Sequence, residues 1–146
     1  MANMEQKCAC RGDFLDRLVQ PAALSILYRQ PDYGYNLIKQ LAKTRLWNGK
    51  TPDASGIYRI LKDMEKRGLL TSRIDLADNQ NMGKRIFSVT PEGIACMLRW
   101  EETLSDYHEG IGEMLNEIRG FREAGEKRSN MEKGSRHKSG RSFSEN

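Results

Sequence analysis

Residues 49–70 read GKTPDASGIYRILKDMEKRGLL, and the fold follows from how this stretch divides into two faces. Ile57, Ile60, Leu61 and Met64 stand at i, i+3, i+4 and i+7, which predicts a helix with one buried side. At about 100° per residue, Ser55, Arg59, Lys62 and Lys66 fall opposite that stripe, within about 60° of one another. Asp63 and Glu65 fall on the flanks. Thr51 is the expected N-cap and Pro52 the first helical residue, with Asp53 near the positive end of the helix dipole. Lys66 and Arg67 occupy the last turn, and Gly68 suits the residue just past the end. A face that gathers hydroxyl and positive charge while excluding carboxylates suits a polyanionic partner, although taken alone it also suits plain solvation.

Upstream, Asp13 to Val19 can form a short helix, and Pro21 fits the first turn of the next, where its missing N–H is harmless. That helix runs to about Arg29, with Ala22, Leu24, Ile26, Leu27 and Tyr28 expected inside. The turn QPDYG (30–34) leads to a second helix, Tyr35 to about Lys43, with Leu37, Ile38 and Leu41 inward. Trp47 to Lys50 reads as a short polar connection. Downstream the period changes to two. LLTSRIDLA (69–77) alternates loosely at Leu70, Ser72, Ile74 and Leu76, and RIFSV (85–89) is a second β-prone run. The polar turn ADNQNMGK (77–84) joins them into a hairpin. Thr90-Pro91-Glu92 then opens another helix.

That last helix carries a second pattern. Met97, Trp100, Leu104, Tyr107, Ile111, Met114, Ile118 and Phe121 are spaced 3, 4, 3, 4, 3, 4, 3, an a/d seam of about three and a half heptads. So long a stripe exceeds what the body needs for its own core and predicts a dimerisation arm in a C2 homodimer. Gly110 and Gly112 weaken the helix by roughly 1 kcal/mol each relative to Ala. From Glu123 the periodicity and nearly all large apolar residues are lost, which predicts disorder. The expected organisation is a flexible N-terminus with Cys-x-Cys at 1–12, a nucleic-acid-binding body at 13–90, a dimerisation helix at 91–122 and a disordered basic tail at 123–146.

A length of 146 residues suits one domain with an appendage. Net charge is +6 over residues 1–90, −4 over 91–122 and +2 over 123–146, so the body is the part expected to meet a polyanion. No apolar run approaches the ~18 residues of a membrane span, and the N-terminus has no apolar h-region. A cytoplasmic location with free thiols is expected. There is no P-loop, dinucleotide fingerprint, nucleophile elbow or His-Glu-x-x-His. The two histidines lie one on the arm and one in the tail, so neither an enzymatic site nor a cofactor is expected.

Three helices, a hairpin and a long trailing helix are the order of a mainly α winged helix-turn-helix with a small β-hairpin and a C-terminal dimerisation helix. In that arrangement the third helix enters the major groove and the hairpin loop reaches adjacent backbone or minor groove. Lys62 and Lys66 then meet phosphates, Ser55 and Arg59 meet phosphates or base edges, and Lys84 and Arg85 charge the wing.

Roughly Pro21 to Trp100 resembles the PadR-like family of transcriptional regulators. LSILYRQPDYGYNLIKQL matches its leucine-rich helix, turn and Gly-Tyr segment at Gly34-Tyr35. TPDASGIYRILKDMEKRGLL is similar to its Thr-Pro, Gly-x-x-Tyr/Tyr, Leu and Glu-x-x-Gly-Leu pattern, through Thr51, Pro52, Gly56, Tyr58, Leu61, Glu65, Gly68 and Leu69. KRIFSVTPEG resembles the second wing strand running into Thr-x-x-Gly, with Phe87 where Tyr is frequent. The resemblance implies a dimeric, sequence-specific binder of duplex DNA at a palindromic operator, usually a repressor released by a small molecule or stress signal. It carries over Tyr35, Ser55, Tyr58 and Lys62 as DNA-facing, with Lys84 and Arg85 on the wing. The single C-terminal helix resembles the family's shorter subgroup.

Two further features stand beside this reading. Cys8 and Cys10 are candidates for a thiol or soft-metal sensor, and Lys7 and Arg11 nearby favour thiolate. A tetrahedral site needs about four ligands; besides this pair the chain offers only Cys96, His108 and His137, and a dimer could assemble four thiols from two Cys8-Cys10 pairs. Trp47, Met97, Trp100, Tyr107 and Met114 are candidates to line a pocket for a small aromatic effector, or simply core and seam residues. The alternatives to an inducible repressor are a metal- or thiol-responsive one using Cys8 and Cys10, and a winged-helix adaptor that binds protein without reading DNA.

Overall fold

A computed structural model describes residues 16–76 and 84–143, with side chains described as far as residue 134. A single 3-10 turn, Asp16–Leu18, leads into α1 (Val19–Arg29), β1 (Asp32–Tyr33), α2 (Gly34–Lys43), α3 (Ala54–Lys66), β2 (Leu70–Ile74), β3 (Arg85–Val89) and α4 (Pro91–Phe143). Packing divides the chain into two units, Met1–Glu101 and Glu102–Asn146. The first is a mainly α winged helix with a small antiparallel sheet.

Its core is built from the apolar faces of α1, α2 and α3. Leu24, Leu27, Leu37, Leu41, Leu61, Met64 and Leu70 are fully buried, and Phe87 closes the core from the sheet. Each such aliphatic side chain contributes about 1.5–3 kcal/mol on leaving water. Tyr28, expected inside, is 56% exposed, because it falls just past the edge of the arc that Leu24 and Leu27 bury. Trp47, expected in a polar connection, is buried in this core instead. The link between α2 and α3 is therefore anchored by an indole.

The start of α3 differs from expectation. Asp53, not Thr51, is the N-cap: its carboxylate accepts the Gly56 N–H at 3.1 Å, and the helix begins at Ala54. An N-cap side chain reaches the amide two or three residues on; here that amide is Gly56, so the helix starts after Asp53 and Pro52 lies outside it. The other end follows the sequence reading. Gly68 has φ +79°, its N–H donates to the Glu65 carbonyl at 3.0 Å and the Leu69 N–H to the Met64 carbonyl at 2.9 Å. This is a Schellman stop, in which the left-handed residue costs a glycine nothing.

The sheet has three strands in the order β1-β3-β2. β2 and β3 form the expected hairpin, with Leu70 opposite Val89 and Ile74 opposite Arg85. β1 was not expected; it adds Asp32 opposite Phe87 and Tyr33 opposite Ile86 inside the segment read as a turn. Two residues are too short to display a period of two.

Thr90 caps α4 by accepting the Gly93 N–H at 3.0 Å. Gly93 itself is buried, and a Cβ there would overlap the Leu69 carbonyl oxygen and stand 2.7 Å from Val89 Cγ1. Cys96, Met97 and Trp100 pack against the core, and the Trp100 indole N–H donates to Gln20 Oε1 at 2.9 Å.

In the second unit α4 continues to Phe143, whereas the sequence predicts disorder from Glu123. The apolar stripe does end at Phe121, and every side chain from Phe121 to Gly134 is exposed. Loss of apolar periodicity signals loss of burial, not loss of helix. The segment has no proline before Phe143 and nine of its residues from Glu123 are Glu, Lys or Arg, and Arg122 and Glu126 stand 4.0 Å apart at i,i+4. Exposure along the stripe rises from 38% at Leu104 to 72% at Phe121.

Candidate nucleic-acid interface

Ser55, Arg59, Lys62 and Lys66 are all exposed on one side of α3, opposite the buried Ile57, Leu61 and Met64. The flanking carboxylates are engaged elsewhere. Asp63 pairs with Arg67 at 3.1 Å, and Glu65 accepts the Ser72 hydroxyl at 2.8 Å. The outward face of α3 is thus hydroxyl and cation only.

Tyr58 lies at the edge of this face, and its ring covers Gly34 at the start of α2. A Cβ on Gly34 would stand 3.0 Å from Tyr58 Cζ and 3.1 Å from its hydroxyl oxygen. The Gly-Tyr segment and Tyr58 are therefore one contact: a glycine admits the ring, and the ring sets α3 against α2.

Lys84 and Arg85, neighbours in sequence, serve opposite faces of the hairpin, as the strand period dictates. The Lys84 ammonium stands 4.6 Å from the centroid of the Tyr35 ring and 5.7 Å from that of Tyr33. Those rings are stacked at 5.3 Å and 12°, the Tyr33 hydroxyl donates to the Asp75 carboxylate, and Lys84 lies 3.5 Å from the Tyr35 hydroxyl. Arg85 instead donates to Ser72 Oγ at 3.3 Å, which passes the link on to Glu65 of α3. The wing is thereby joined to α2 through Tyr35 and to α3 through Ser72. Sequence reasoning had Tyr35 but missed Tyr33 and Asp75, which meet once β1 pairs with β3, and Ser72, which reaches Arg85 because β2 pairs with β3.

Of the eight residues expected on the arm, Met97 and Trp100 are partly buried on the core of their own unit, and the other six are exposed. Trp47 is 6% exposed and borders a cavity of about 420 Å³ with Val19, Pro52, Ile57 and Ile60. Tyr107 and Met114 belong to the second unit. Cys8, Cys10 and the hairpin loop at 77–83 lie outside the described residues. Among the described residues no group of three or more His, Cys, Asp and Glu is arranged to hold a metal, and no helix is long and apolar enough to cross a membrane.

The model of the Transcriptional regulator PadR-like family matches residues 23–98, more than half the chain and all of the interface just described. The chain belongs to the PadR-like family. Members are DNA-binding transcription regulators rather than enzymes. Solved structures agree. A PadR family transcriptional regulator from Eggerthella lenta shares 31% identity over 69% of this chain and 85% of that one, with a TM-score of 0.56. A candidate transcriptional regulator from Thermoplasma acidophilum superposes with a TM-score of 0.62, 24% identity and coverage of 70% and 94%. A PadR family regulator from Clostridium difficile gives 0.56, 20%, 66% and 97%. No curated protein matches. This PadR-like chain has the winged-helix fold, its long C-terminal helix included.

Proposed function

We propose that this PadR-like regulator acts in the cytoplasm as a homodimeric repressor on a palindromic operator, released by a small molecule or stress signal. The observation that carries the reading is the face of α3, where Ser55, Arg59, Lys62 and Lys66 are exposed and both neighbouring carboxylates are engaged elsewhere. In this reading Lys62 and Lys66 hold phosphates and position the helix, while Ser55 and Arg59 reach phosphates or base edges. Lys84 and Arg85 bring the wing to the adjacent backbone, and Tyr35 and Tyr58 are further DNA-facing positions beside it. Residues 13–90 form the DNA-binding part and 91–122 the dimerisation helix. Leu104, Tyr107, Ile111, Met114, Ile118 and Phe121 are exposed in a single chain, a stripe that pairing with a second copy removes from water. Met97 and Trp100 begin that seam. The releasing signal is read as a small aromatic molecule.

The test uses a duplex selected from a random-sequence library by the wild-type protein, followed by fluorescence anisotropy. Arg59→Glu and Lys62→Glu are expected to abolish binding while sedimentation still reports a dimer. Wild-type affinity in both variants would show that the recognition face is wrongly assigned.

A further inference from the structure

Burial anchors the wing at one end only. Leu70 and Phe87 are buried in the core, whereas Ile74 and Leu76 at the far end of β2 are 46% and 84% exposed. A two-stranded ribbon is marginal alone, and the twist between neighbouring strands ranges over about 10–35°, so its direction needs a lateral restraint. β1 supplies one at Ile86 and Phe87 and stops short of Lys84. Beyond that point the restraint passes to side chains. The Asp75 N–H donates to the Lys84 carbonyl at 3.0 Å, which closes the hairpin there, and the Tyr33 hydroxyl donates to the Asp75 carboxylate. Tyr33 belongs to β1 and Asp75 follows β2, with β3 between them, so this contact spans two strand spacings, about 10 Å. Tyr33 is fixed in turn. The Asp32 carboxylate accepts the Tyr33 N–H at 2.8 Å, Asn36 Nδ2 at 2.8 Å and Gln40 Nε2 at 3.3 Å. Contacts therefore run without a break from α2, through Asp32 and Tyr33, to the hairpin beside Lys84.

We infer that Tyr33 and Asp75 are positioning residues for DNA binding: their contact sets the direction of the wing and holds Lys84 toward the duplex. The inference rests on the proposed DNA-binding reading, in which Lys84 is a cation of the wing at the backbone. Neither residue of the pair has to touch DNA. Asp75 stands opposite Lys84, one step beyond the pairing of Ile74 with Arg85. A carboxylate at that place opposes the approach of phosphate by its charge, and the structure gives it a different task, as the acceptor that ties the far strand to Tyr33. Anchoring the Tyr33 hydroxyl also fixes the surface on which Lys84 rests. The Tyr33 ring is stacked on that of Tyr35 at 5.3 Å, and the Lys84 ammonium stands 5.7 and 4.6 Å from the two centroids. Without the hydroxyl the ring keeps its stack but loses its hold on the far strand, and the end of the hairpin is free to change its twist. The wing then presents Lys84 at a varying place, and its phosphate contact is lost although the cation is still present.

The experiment measures the affinity of the full-length protein for the selected duplex across a KCl series, with circular dichroism melts to establish folding. It compares wild type, Tyr33→Phe, Asp75→Ala, Asp75→Asn, Lys84→Ala, Tyr33→Phe/Lys84→Ala and Lys62→Glu. Tyr33→Phe removes only the hydroxyl. Its slope of log K against log [KCl] is expected to be shallower by about 0.9 per protomer, so its deficit against wild type shrinks about 3.5-fold per protomer between about 50 and 200 mM. Asp75→Ala is expected to weaken binding in the same way, although loss of a negative charge alone strengthens it. Asp75→Asn keeps an oxygen that accepts the Tyr33 hydroxyl and is expected to bind at least as tightly as wild type. Because the pair acts through Lys84, Tyr33→Phe is expected to add no loss to Lys84→Ala. Wild-type affinity and slope in Tyr33→Phe overturn the inference, and so does tighter binding by Asp75→Ala. Additive losses in the double variant overturn it too, since they place the Tyr33 hydroxyl on DNA itself. Should Asp75→Ala not fold, Tyr33→Phe and the double variant decide. Loss of binding in Lys62→Glu beside wild-type behaviour in Tyr33→Phe overturns the inference and leaves the recognition reading standing, whereas a wild type that binds no duplex overturns both.

Discussion

Gly93→Ala tests the packing that joins α4 to the end of α3 and the wing. At an ordinary helical position this change stabilises by up to about 1 kcal/mol. Here the sign reverses, because the new methyl overlaps the Leu69 carbonyl oxygen and stands 2.7 Å from Val89 Cγ1 and 3.1 Å from Leu69 C. The carbonyl has no room to recede. It accepts the Thr90 N–H at 3.1 Å, and the Leu69 N–H is held in the Schellman stop by Met64 at 2.9 Å. Forcing extra volume into such a site costs about 1–3 kcal/mol, and losing the Thr90 bond about 1 kcal/mol more. Against the helical gain, the net is a loss of about 1–3 kcal/mol and a fall in Tm on the order of 10 °C for a domain of this size. Urea and thermal unfolding followed by circular dichroism measure it. Gly110→Ala is the opposite-signed control: nothing lies within 4 Å of a Cβ added there, so the helix gains and Tm holds or rises. A Gly93→Ala protein that melts at or above wild type would refute the steric argument.

Other substitutions separate stability, assembly and binding. Asp53→Ala removes the cap of α3 and is expected to cost about 1 kcal/mol in chemical denaturation; no change in the urea midpoint would return the cap to Thr51. Ile111→Lys/Ile118→Lys places charge on two seam positions that are 58% and 65% exposed in one chain. Sedimentation should then report a monomer whose near-ultraviolet dichroism is unchanged, and a persistent dimer would mean that copies associate elsewhere. Lys84→Ala withdraws the cation over Tyr33 and Tyr35, a contact worth about 0.5–1 kcal/mol at an exposed site. The salt slope of DNA binding is expected to fall by about 0.9 per protomer with little loss of Tm, and an unchanged slope would take Lys84 out of the interface.

What the sequence by itself determined is local. The apolar period of α3, its stop at Gly68, the hairpin strands and the cap at Thr90 depend on residues within a few positions of one another, and each was legible before any coordinates. The cationic face of α3 was legible for the same reason, since side-chain direction on a helix follows from spacing alone. Position 53 shows the limit even there: Thr51, Pro52 and Asp53 all suit a helix start, and the amide of Gly56 decided among them. Tertiary structure decided whatever depends on a distant neighbour. Gly34 is glycine because the Tyr58 ring lies on it, and Gly93 because the Leu69 carbonyl does; spacing marks both positions and explains neither. Trp47 turns inward because α1 and α3 leave an apolar space beneath the link, and Met97 and Trp100 rest on the core of their own unit before the exposed seam begins. The direction of Lys84 and Arg85 to opposite faces followed from the strand period, but their partners followed from strand pairing: Ser72 reaches Arg85 through β2 with β3, and the tyrosines reach Lys84 through β1 with β3. That pairing brings Tyr33 and Tyr35 beneath Lys84, and two residues carry too little pattern to announce it.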